Sequence, residues 1–273
     1  MTHITVFADI AGRPSKKVAN PLTTAAAVAF RTEELADLRV ALDPSMPKWK
    51  DLNSETARTA IGFLKQNALA VAAVTVNRST HQWAKAIADS ELLHSKIASY
   101  SRAKAGWAKL PVLLTYELLV RACLLALAQT LRVNREAHVF STMGATAVEC
   151  NIVCDQEFSG KEDVDVFKSF WNGGSIPSNK LWQLGYSISH PQVCITTDEE
   201  ERLLVLADIA AGLCHSARLP DPGRIPMPLP CASSRRLLEP LHDNGKLALD
   251  SYSYETTYDA IFGEAMRFAR NGA

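Results

Sequence analysis

The segment ITVFADIAG, residues 4–12, begins with four β-forming residues and carries an aspartate, Asp9, shortly before a glycine. Two further β-rich segments follow, LTTAAAVAF at 22–30 and ALAVAAVTVN at 68–77. Polar or turn-forming sequence separates them, as is typical of successive strands. We therefore predict three strands in this part of the chain, the first of which ends at Asp9.

A fourth apolar segment, ATAVECNIVC at 145–154, is followed directly by Asp155. Its apolar residues occupy both odd and even positions, which is typical of a strand covered on both faces. Such strands belong to parallel or mixed sheets that carry helices on both sides. The sequence therefore predicts an α/β fold with a mixed sheet flanked by helices.

Helical sequence accompanies these strands. The segment NSETARTAIGFLKQ offers Asn53 or Ser54 as the residue that caps its helix. Residues 79–132 have the pattern of two long helices, which predicts a long helical insertion. A further helix is expected at about 161–171, before the turn-forming sequence WNGG.

The proline content divides the remainder of the chain. The stretch RLPDPGRIPMPLP, residues 218–230, holds five prolines and cannot form a regular helix or strand. We predict a main domain at 1–218, a proline-rich connector at 219–230 and a C-terminal helical appendage at 231–273. Two short helices are expected in that appendage. Recognition of the connector by a proline-binding partner is an alternative to a purely structural role.

Composition limits the class of protein. The chain has 273 residues, 47% of them hydrophobic, which is enough for one sizeable core, and its 29 basic residues balance its 29 acidic ones. No overall charge therefore favours a nucleic-acid partner, and such a role has to be argued from a site. The six cysteines form no C-x-x-C pair, which indicates a reduced intracellular protein.

The most apolar stretch, residues 110–131, contains Glu117 and Arg121. Charges inside such a stretch favour a buried helix of a soluble protein over a membrane span. The start of the chain also lacks the basic and apolar pattern of a signal peptide. We therefore expect a cytoplasmic protein without a membrane partner.

The predicted helix at about 199–216 is almost entirely apolar but carries a carboxylate in its middle. Its residues from Leu203 to Leu213 are almost all apolar, so the helix is expected in the interior, yet Asp208 lies in its middle. A lone buried carboxylate is destabilising by several kcal/mol unless it is paired, protonated or bound to a metal. Since Gly212 lies one turn further on, another backbone or an ion can approach closely. The structural alternative is a buried salt bridge, for example to Arg121.

Asp9 and Asp155 supply further carboxylates at the ends of two predicted strands. The carboxyl ends of central strands are where open α/β sheets bind ligands. If Asp208 packs across them, three carboxylates converge, and divalent cations such as Mg²⁺ or Mn²⁺ would relieve their repulsion. Asp198 is a candidate fourth ligand, although it or Thr197 is also a candidate helix cap. Asp9 and Asp155 have the alternative role of turn formers.

These motifs resemble a bacterial family described as domain of unknown function 3800, which is grouped with the RNase H-like superfamily. The family pattern has an Asp-Glu-Ser-Gly strand end, a Glu-Ile-Lys element, a later strand ending in Asp, and a helix containing Ala-Asp-x-x-Ala-Gly. The counterparts here, in the same order, are ADIAG at 8–12, MPKWKDL at 46–52, NIVCD at 151–155 and LVLADIAAG at 204–212.

The resemblance implies an RNase H-like domain that hydrolyses phosphodiester bonds in nucleic acid with Mg²⁺ or Mn²⁺. Asp9, Asp155 and Asp208 would be the catalytic metal ligands, with Asp198 as a weaker candidate. Enzymes of this kind use two metal ions to activate a water and to stabilise the leaving oxygen.

Several residues near this expected site depart from the family pattern or have an alternative role. Ile10 and Met46 stand where the family has glutamates, so a catalytically degenerate binding or assembly module is the alternative function. Lys48 and Lys50 are candidate phosphate contacts, or else ordinary solvated charges. His215 lies two turns beyond Asp208 and either flanks the site or has a structural role.

Overall fold

The computed structural model describes residues 3–12, 21–95, 148–155, 188–219 and 227–251, together with six helical residues between 119 and 130. The strands with defined bounds are β1 (Ile4–Ala11), β2 (Leu22–Arg31), β3 (Ala70–Asn77), β4 (Val148–Asp155), β5 (Ile188–Thr196) and β6 (Leu247–Ser251). The helices with defined bounds are α1 (Leu35–Ala41), α2 (Ser54–Asn67), α3 (His81–Ser95), α4 (Leu204–Arg218) and α5 (Cys231–Asp243). Short 3-10 turns lie at Thr32–Glu34 and Trp49–Asp51.

The six strands form one mixed sheet in the order β5-β4-β1-β2-β3-β6. β2 runs antiparallel to both β1 and β3, whereas β1 with β4, β4 with β5, and β3 with β6 are parallel pairs. The α/β class and the mixed sheet flanked by helices are confirmed. Because β1, β4 and β5 are parallel, their carboxyl ends meet at one edge of the sheet.

Both faces of the central strands are covered. In β1 every residue from Ile4 to Ile10 is buried, and β2 is buried throughout except at its two ends. Phe7, Val28 and Val71 lie on one face, in a core shared with α2, α4 and α5. On the other face, the Cys123 thiol donates to the backbone carbonyl of Ala25. This burial explains why the sequences of the central strands are continuously apolar.

Helix α4 is the centre of the core. It packs on β1 and β2 and also contacts α5. Thirteen of its fifteen residues are buried, as expected for an interior helix.

Helix α2 begins directly after Asn53, whose side chain accepts hydrogen bonds from the backbone of Glu55 and Thr56 in a complete capping box. Of the two predicted caps for this helix, Asn53 is therefore the one used.

Two predicted boundaries near the expected site are wrong. Asp9 does not end the first strand, because β1 continues to Ala11 through pairing with β2. The helix with Asp208 begins at Leu204, so neither Thr197 nor Asp198 caps it. The Thr197 carbonyl instead accepts the backbone N–H of Glu200 and Glu201 in a tight turn. A turn at 197–203 thus separates β5 from α4.

The C-terminal segment is only partly as predicted. The first expected helix is present as α5, and Leu247–Ser251 forms an unpredicted strand, β6, that pairs in parallel with β3. Residues after 251, where a second helix could still lie, are outside the described ranges. Gly245, with a φ of 65°, turns the chain between the two elements. Leu238, Leu241 and Leu247 belong to the same core as α4. The described part of this segment is therefore integrated into the sheet and the core.

Several predictions concern residues outside the described ranges. They include the helix at about 161–171, Arg121 as a partner of Asp208, and most of the insertion after α3. The proline-rich connector is described only at its two ends. In the part of the chain that is described, no helix has the length and apolar character needed to cross a membrane.

Candidate functional site

Asp9 and Asp155 come to the same edge and the same face of the sheet. The β1–β4 pairing ends at Ala8 and Cys154, so Asp9 and Asp155 are the next residues of these two adjacent parallel strands. Both share the strand parity of Phe7 and Val153, which pack on the core beneath α4. Asp9 is buried, with Oδ1 accepting the backbone N–H of Ile10 at 2.6 Å. The convergence of Asp9 with Asp155 and Asp208 stays a prediction.

Asp208 lies on α4 with its carboxylate largely removed from water. Its Oδ2 accepts the backbone N–H of Trp49 at 2.7 Å. Burial is the main reason that the pKa of Asp208 lies above its ordinary value, and the Trp49 hydrogen bond opposes that shift. The carboxylates of Asp155 and Asp198 raise this pKa further, whereas the ammonium of Lys48 lowers it. The charges of two other aspartates and one lysine therefore affect the pKa of Asp208.

Lys48 is the cation of this group. Its Nζ lies 2.8 Å from Oδ1 of Asp198. That contact is the main cause that raises the pKa of Lys48, with smaller contributions from the charges of Asp155 and Asp208. We call these four residues, Lys48, Asp155, Asp198 and Asp208, the acidic cluster. It draws on the loop before α2, the end of β4, and the turn and helix after β5.

Ionic contacts hold the loop after α1 against the turn that precedes α4. Arg39 forms a bidentate pair with Glu201, with N–O distances of 2.5 to 3.1 Å. Arg202 donates to the backbone carbonyl of Asp43 at 3.0 Å. Arg39 lies in the last turn of α1 and Asp43 in the loop that carries Lys48, whereas Glu201 and Arg202 lie in the turn that carries Asp198. The contacts therefore help to keep the acidic cluster together.

Trp49 contributes to the site in a way that sequence reasoning did not identify. Its side chain is buried, and a β-carbon at Gly212 would overlap the indole ring. A close approach at Gly212 is therefore present, but the indole ring of Trp49 makes it and not the expected backbone or ion. The available signals were a tryptophan in a proline-flanked loop and a glycine one helical turn from a buried aspartate.

His215 has a buried, structural environment. Its Nδ1 lies 3.1 Å from the hydroxyl of Thr24, which in turn lies 2.9 Å from the hydroxyl of Thr75. The ring also packs against Gly12, whose φ of 73° turns the chain at the end of β1. Burial lowers the pKa of His215 to about 4, and the charge of Arg78 contributes. His215 is therefore neutral at physiological pH and supports the end of the strand that carries Asp9.

Lys50 is exposed in the 3-10 turn beside Trp49. Its role as a phosphate contact stays a prediction, and so does that of Lys48, whose ammonium pairs with Asp198. Lys48 is nevertheless about half exposed, with 46% of its side chain accessible. A competing anion can therefore reach it from solvent.

The acidic cluster has the oxygen donors that Mg²⁺ and Mn²⁺ prefer. Among the described residues, however, no group of three Asp, Glu, His or Cys side chains is arranged as a ready metal cage. The Lys48 ammonium supplies a positive charge to the cluster, and Asp208 uses one oxygen to accept the Trp49 N–H. The oxygen donors of the cluster thus suit a divalent cation, provided that the cation displaces the Lys48 ammonium from Asp198.

No family model matches the chain, and no curated protein matches it significantly. The likeness to domain of unknown function 3800 and to RNase H-like proteins therefore rests on the motifs quoted above.

Proposed function

We propose that the chain binds Mg²⁺ or Mn²⁺ through Asp9, Asp155 and Asp208, with Asp198 as a further ligand, and hydrolyses phosphodiester bonds in nucleic acid. The observation that carries this proposal is that Asp155 and Asp198, which come from separate elements, lie close enough to Asp208 for their carboxylates to raise its pKa. Like charges gathered around a buried carboxylate are unfavourable unless a cation accompanies them. The resemblance in sequence motifs supports the same reaction class.

The residues have distinct parts in this proposal. A bound metal ion would activate a water and stabilise the leaving oxygen of the phosphodiester. The aspartates hold the ion, and the Trp49 N–H orients the Asp208 carboxylate by occupying Oδ2. Lys48, whose ammonium pairs with Asp198 and is half exposed, would be displaced from Asp198 by a bound ion and would then be available to a substrate phosphate.

A second function is favoured by the ion pair between Lys48 and Asp198. In this alternative Lys48 is the permanent counter-ion of the acidic cluster, and the chain is a catalytically degenerate binding or assembly module. The residues Ile10 and Met46, which stand where the resembled family has glutamates, support this alternative.

Mn²⁺ binding separates the two functions. We expect Mn²⁺ to raise the melting temperature of the wild-type protein, because a ligand that binds only the folded state stabilises it by mass action. Asp208→Asn should remove most of that increment. Lys48→Met should enlarge it, since the competing ammonium is gone. Asp51→Asn, which removes an exposed carboxylate from the same loop, is the matched control and should leave it unchanged.

A nicking assay with Mn²⁺ on DNA and RNA completes the test. Cleavage that Asp208→Asn abolishes supports the hydrolase. Metal binding without cleavage of either polymer contradicts the hydrolase. If Mn²⁺ stabilises neither the wild-type protein nor Lys48→Met, the metal site is rejected.

A further inference from the structure

The indole ring of Trp49 packs against Gly212, in the space that a side chain at position 212 would occupy. Gly212 lies within α4, where it is not needed for an unusual backbone conformation, and a β-carbon there would collide with the indole of Trp49. The indole is 9% exposed and belongs to the core that α4 shares with the sheet. The missing side chain of Gly212 therefore creates the seat in which the ring lies.

The same residue reaches Asp208 through its backbone. Trp49 opens a 3-10 turn, and its N–H donates to Oδ2 of Asp208. Asp208 and Gly212 are four residues apart, so they lie one above the other on one face of α4. A ring seated on Gly212 consequently brings the N–H of the same residue to the carboxylate one turn earlier. One residue thus makes both contacts along a single helix face.

The loop around Trp49 is held by buried apolar side chains, since Leu42, Met46 and Leu52 lie with Trp49 in the same core. It lies between α1 and α2, and the 3-10 turn provides only short-range hydrogen bonds, from Asp51 to Lys48 and from Leu52 to Trp49. The ion pairs of Arg39 and Lys48 with the opposite segment are at least partly exposed. Exposed ion pairs stabilise weakly, so the loop beside the acidic cluster is held mainly by buried apolar side chains, among them the indole of Trp49 that packs against Gly212.

From these contacts we infer that Trp49 is a positioning residue for Asp208. Its indole, seated on Gly212, fixes the loop so that its own N–H holds the Asp208 carboxylate in one orientation. The importance of this orientation for metal binding rests on the function proposed above, whereas the positioning itself does not.

Hydrogen exchange of the residue-49 amide in the full-length protein tests the positioning directly. We expect Gly212→Ala to accelerate this exchange by about tenfold or more, because the added methyl displaces the ring and the charge-assisted hydrogen bond is lost. Gly62→Ala is the matched control, since a methyl there meets nothing within 4 Å. It should leave the exchange of the residue-49 amide unchanged.

Substitution of the ring itself gives a second comparison. Trp49→Phe keeps an aromatic ring to seat on Gly212 and should largely retain the slow exchange, whereas Trp49→Ala should lose it. This pair carries the test if Gly212→Ala fails to fold. A folded Gly212→Ala protein with wild-type exchange at residue 49, or a Trp49→Ala protein with unchanged exchange, would overturn the inference.

Mn²⁺ titration of the same proteins separates this inference from the proposed function. If the wild-type protein binds Mn²⁺, Trp49→Ala should weaken that binding by about tenfold and Trp49→Phe should restore most of it. Equal Mn²⁺ affinity in all three proteins would overturn the importance of this orientation for metal binding, whereas the exchange measurements decide the positioning itself. If the wild-type protein binds no Mn²⁺, the proposed function fails, and the exchange measurements alone decide the positioning.

Discussion

The imidazole Nδ1 of His215 lies 3.1 Å from the hydroxyl oxygen of Thr24, inside the core between α4 and the sheet. The Thr24 hydroxyl also contacts the hydroxyl of Thr75, so the imidazole joins a short row of neutral polar groups. A protonated imidazole in this place would lose its hydration without a carboxylate among these partners. The relationship therefore makes the stability of the fold depend on the protonation of His215.

We expect His215 to destabilise the protein in mild acid. Its pKa is lowered to about 4 in the folded protein from an ordinary value of 6.5, mainly by burial. The unfolded chain therefore binds a proton that the folded chain excludes between these two values. Stability should be complete above about pH 6.5 and should fall on acidification towards pH 4, by on the order of 3 kcal/mol.

Urea unfolding of the wild-type protein and of His215→Asn across this pH range measures the contribution. The variant should show a flatter dependence of the free energy of unfolding on pH, because asparagine does not titrate. His242→Asn removes an exposed imidazole from the end of α5 and serves as control. A pH dependence that is the same in His215→Asn as in the wild-type protein would contradict the prediction.

Asp208 should have the opposite pH dependence. Burial raises its pKa above the ordinary value, so the folded protein holds the proton more tightly than the unfolded chain. Its contribution to stability is therefore largest in acid and is lost as pH rises through the ordinary aspartate range and the raised pKa. Each unit by which the pKa is raised corresponds to about 1.4 kcal/mol lost at neutral pH.

Asp208→Asn should consequently raise the free energy of unfolding at pH 7 in the absence of divalent metal. The amide oxygen still accepts the Trp49 N–H, and the buried charge is gone. The gain should vanish in acid, where the wild-type carboxyl is itself neutral. Denaturant unfolding at several pH values checks this, and a loss of stability at pH 7 would show that the attraction to Lys48 outweighs the burial of the carboxylate.

The central strands could be predicted from the sequence because their burial produces a recognisable sequence pattern. Burial on both faces demands apolar residues at every position, as in β1 and β2. β6 has five residues and lies at the sheet edge, with Leu249 41% exposed, so its pattern is too short to distinguish a strand from a helix. Pairing with β3, which is distant in sequence, decides its conformation.

The candidate site was predictable only where a residue conflicts with its surroundings. Asp208 was identified because a charge in an interior helix requires a partner, and that expectation led to Gly212. The partners themselves, Trp49 and Lys48, come from a loop about 160 residues earlier, and their contacts follow from tertiary structure. The helix cap predicted at Asp198 was wrong because α4 begins only at Leu204, after a turn, and the side chain of Asp198 pairs with Lys48 instead.

Asn53 should stabilise α2 measurably. Its side chain accepts the N–H groups of Glu55 and Thr56, which have no partner within the helix. Asn53→Ala should reduce the free energy of unfolding by about 1 kcal/mol, whereas Asn53→Asp should retain most of the cap. Thermal or urea unfolding of the two variants provides the comparison. Equal stability of the alanine and aspartate variants would show that the cap is unimportant.

The described C-terminal segment should behave as part of the main core. Leu241 of α5 is fully buried in the core shared with α4, whereas Leu249 of β6 is 41% exposed. Leu241→Ala should therefore lower the free energy of unfolding of the whole domain by about 2 to 5 kcal/mol, and Leu249→Ala by clearly less. Urea unfolding followed by far-UV circular dichroism and by tryptophan fluorescence should show one shifted transition for Leu241→Ala, because all five tryptophans precede this segment in the chain. A fluorescence transition that does not move would mean that α5 unfolds separately from the sheet.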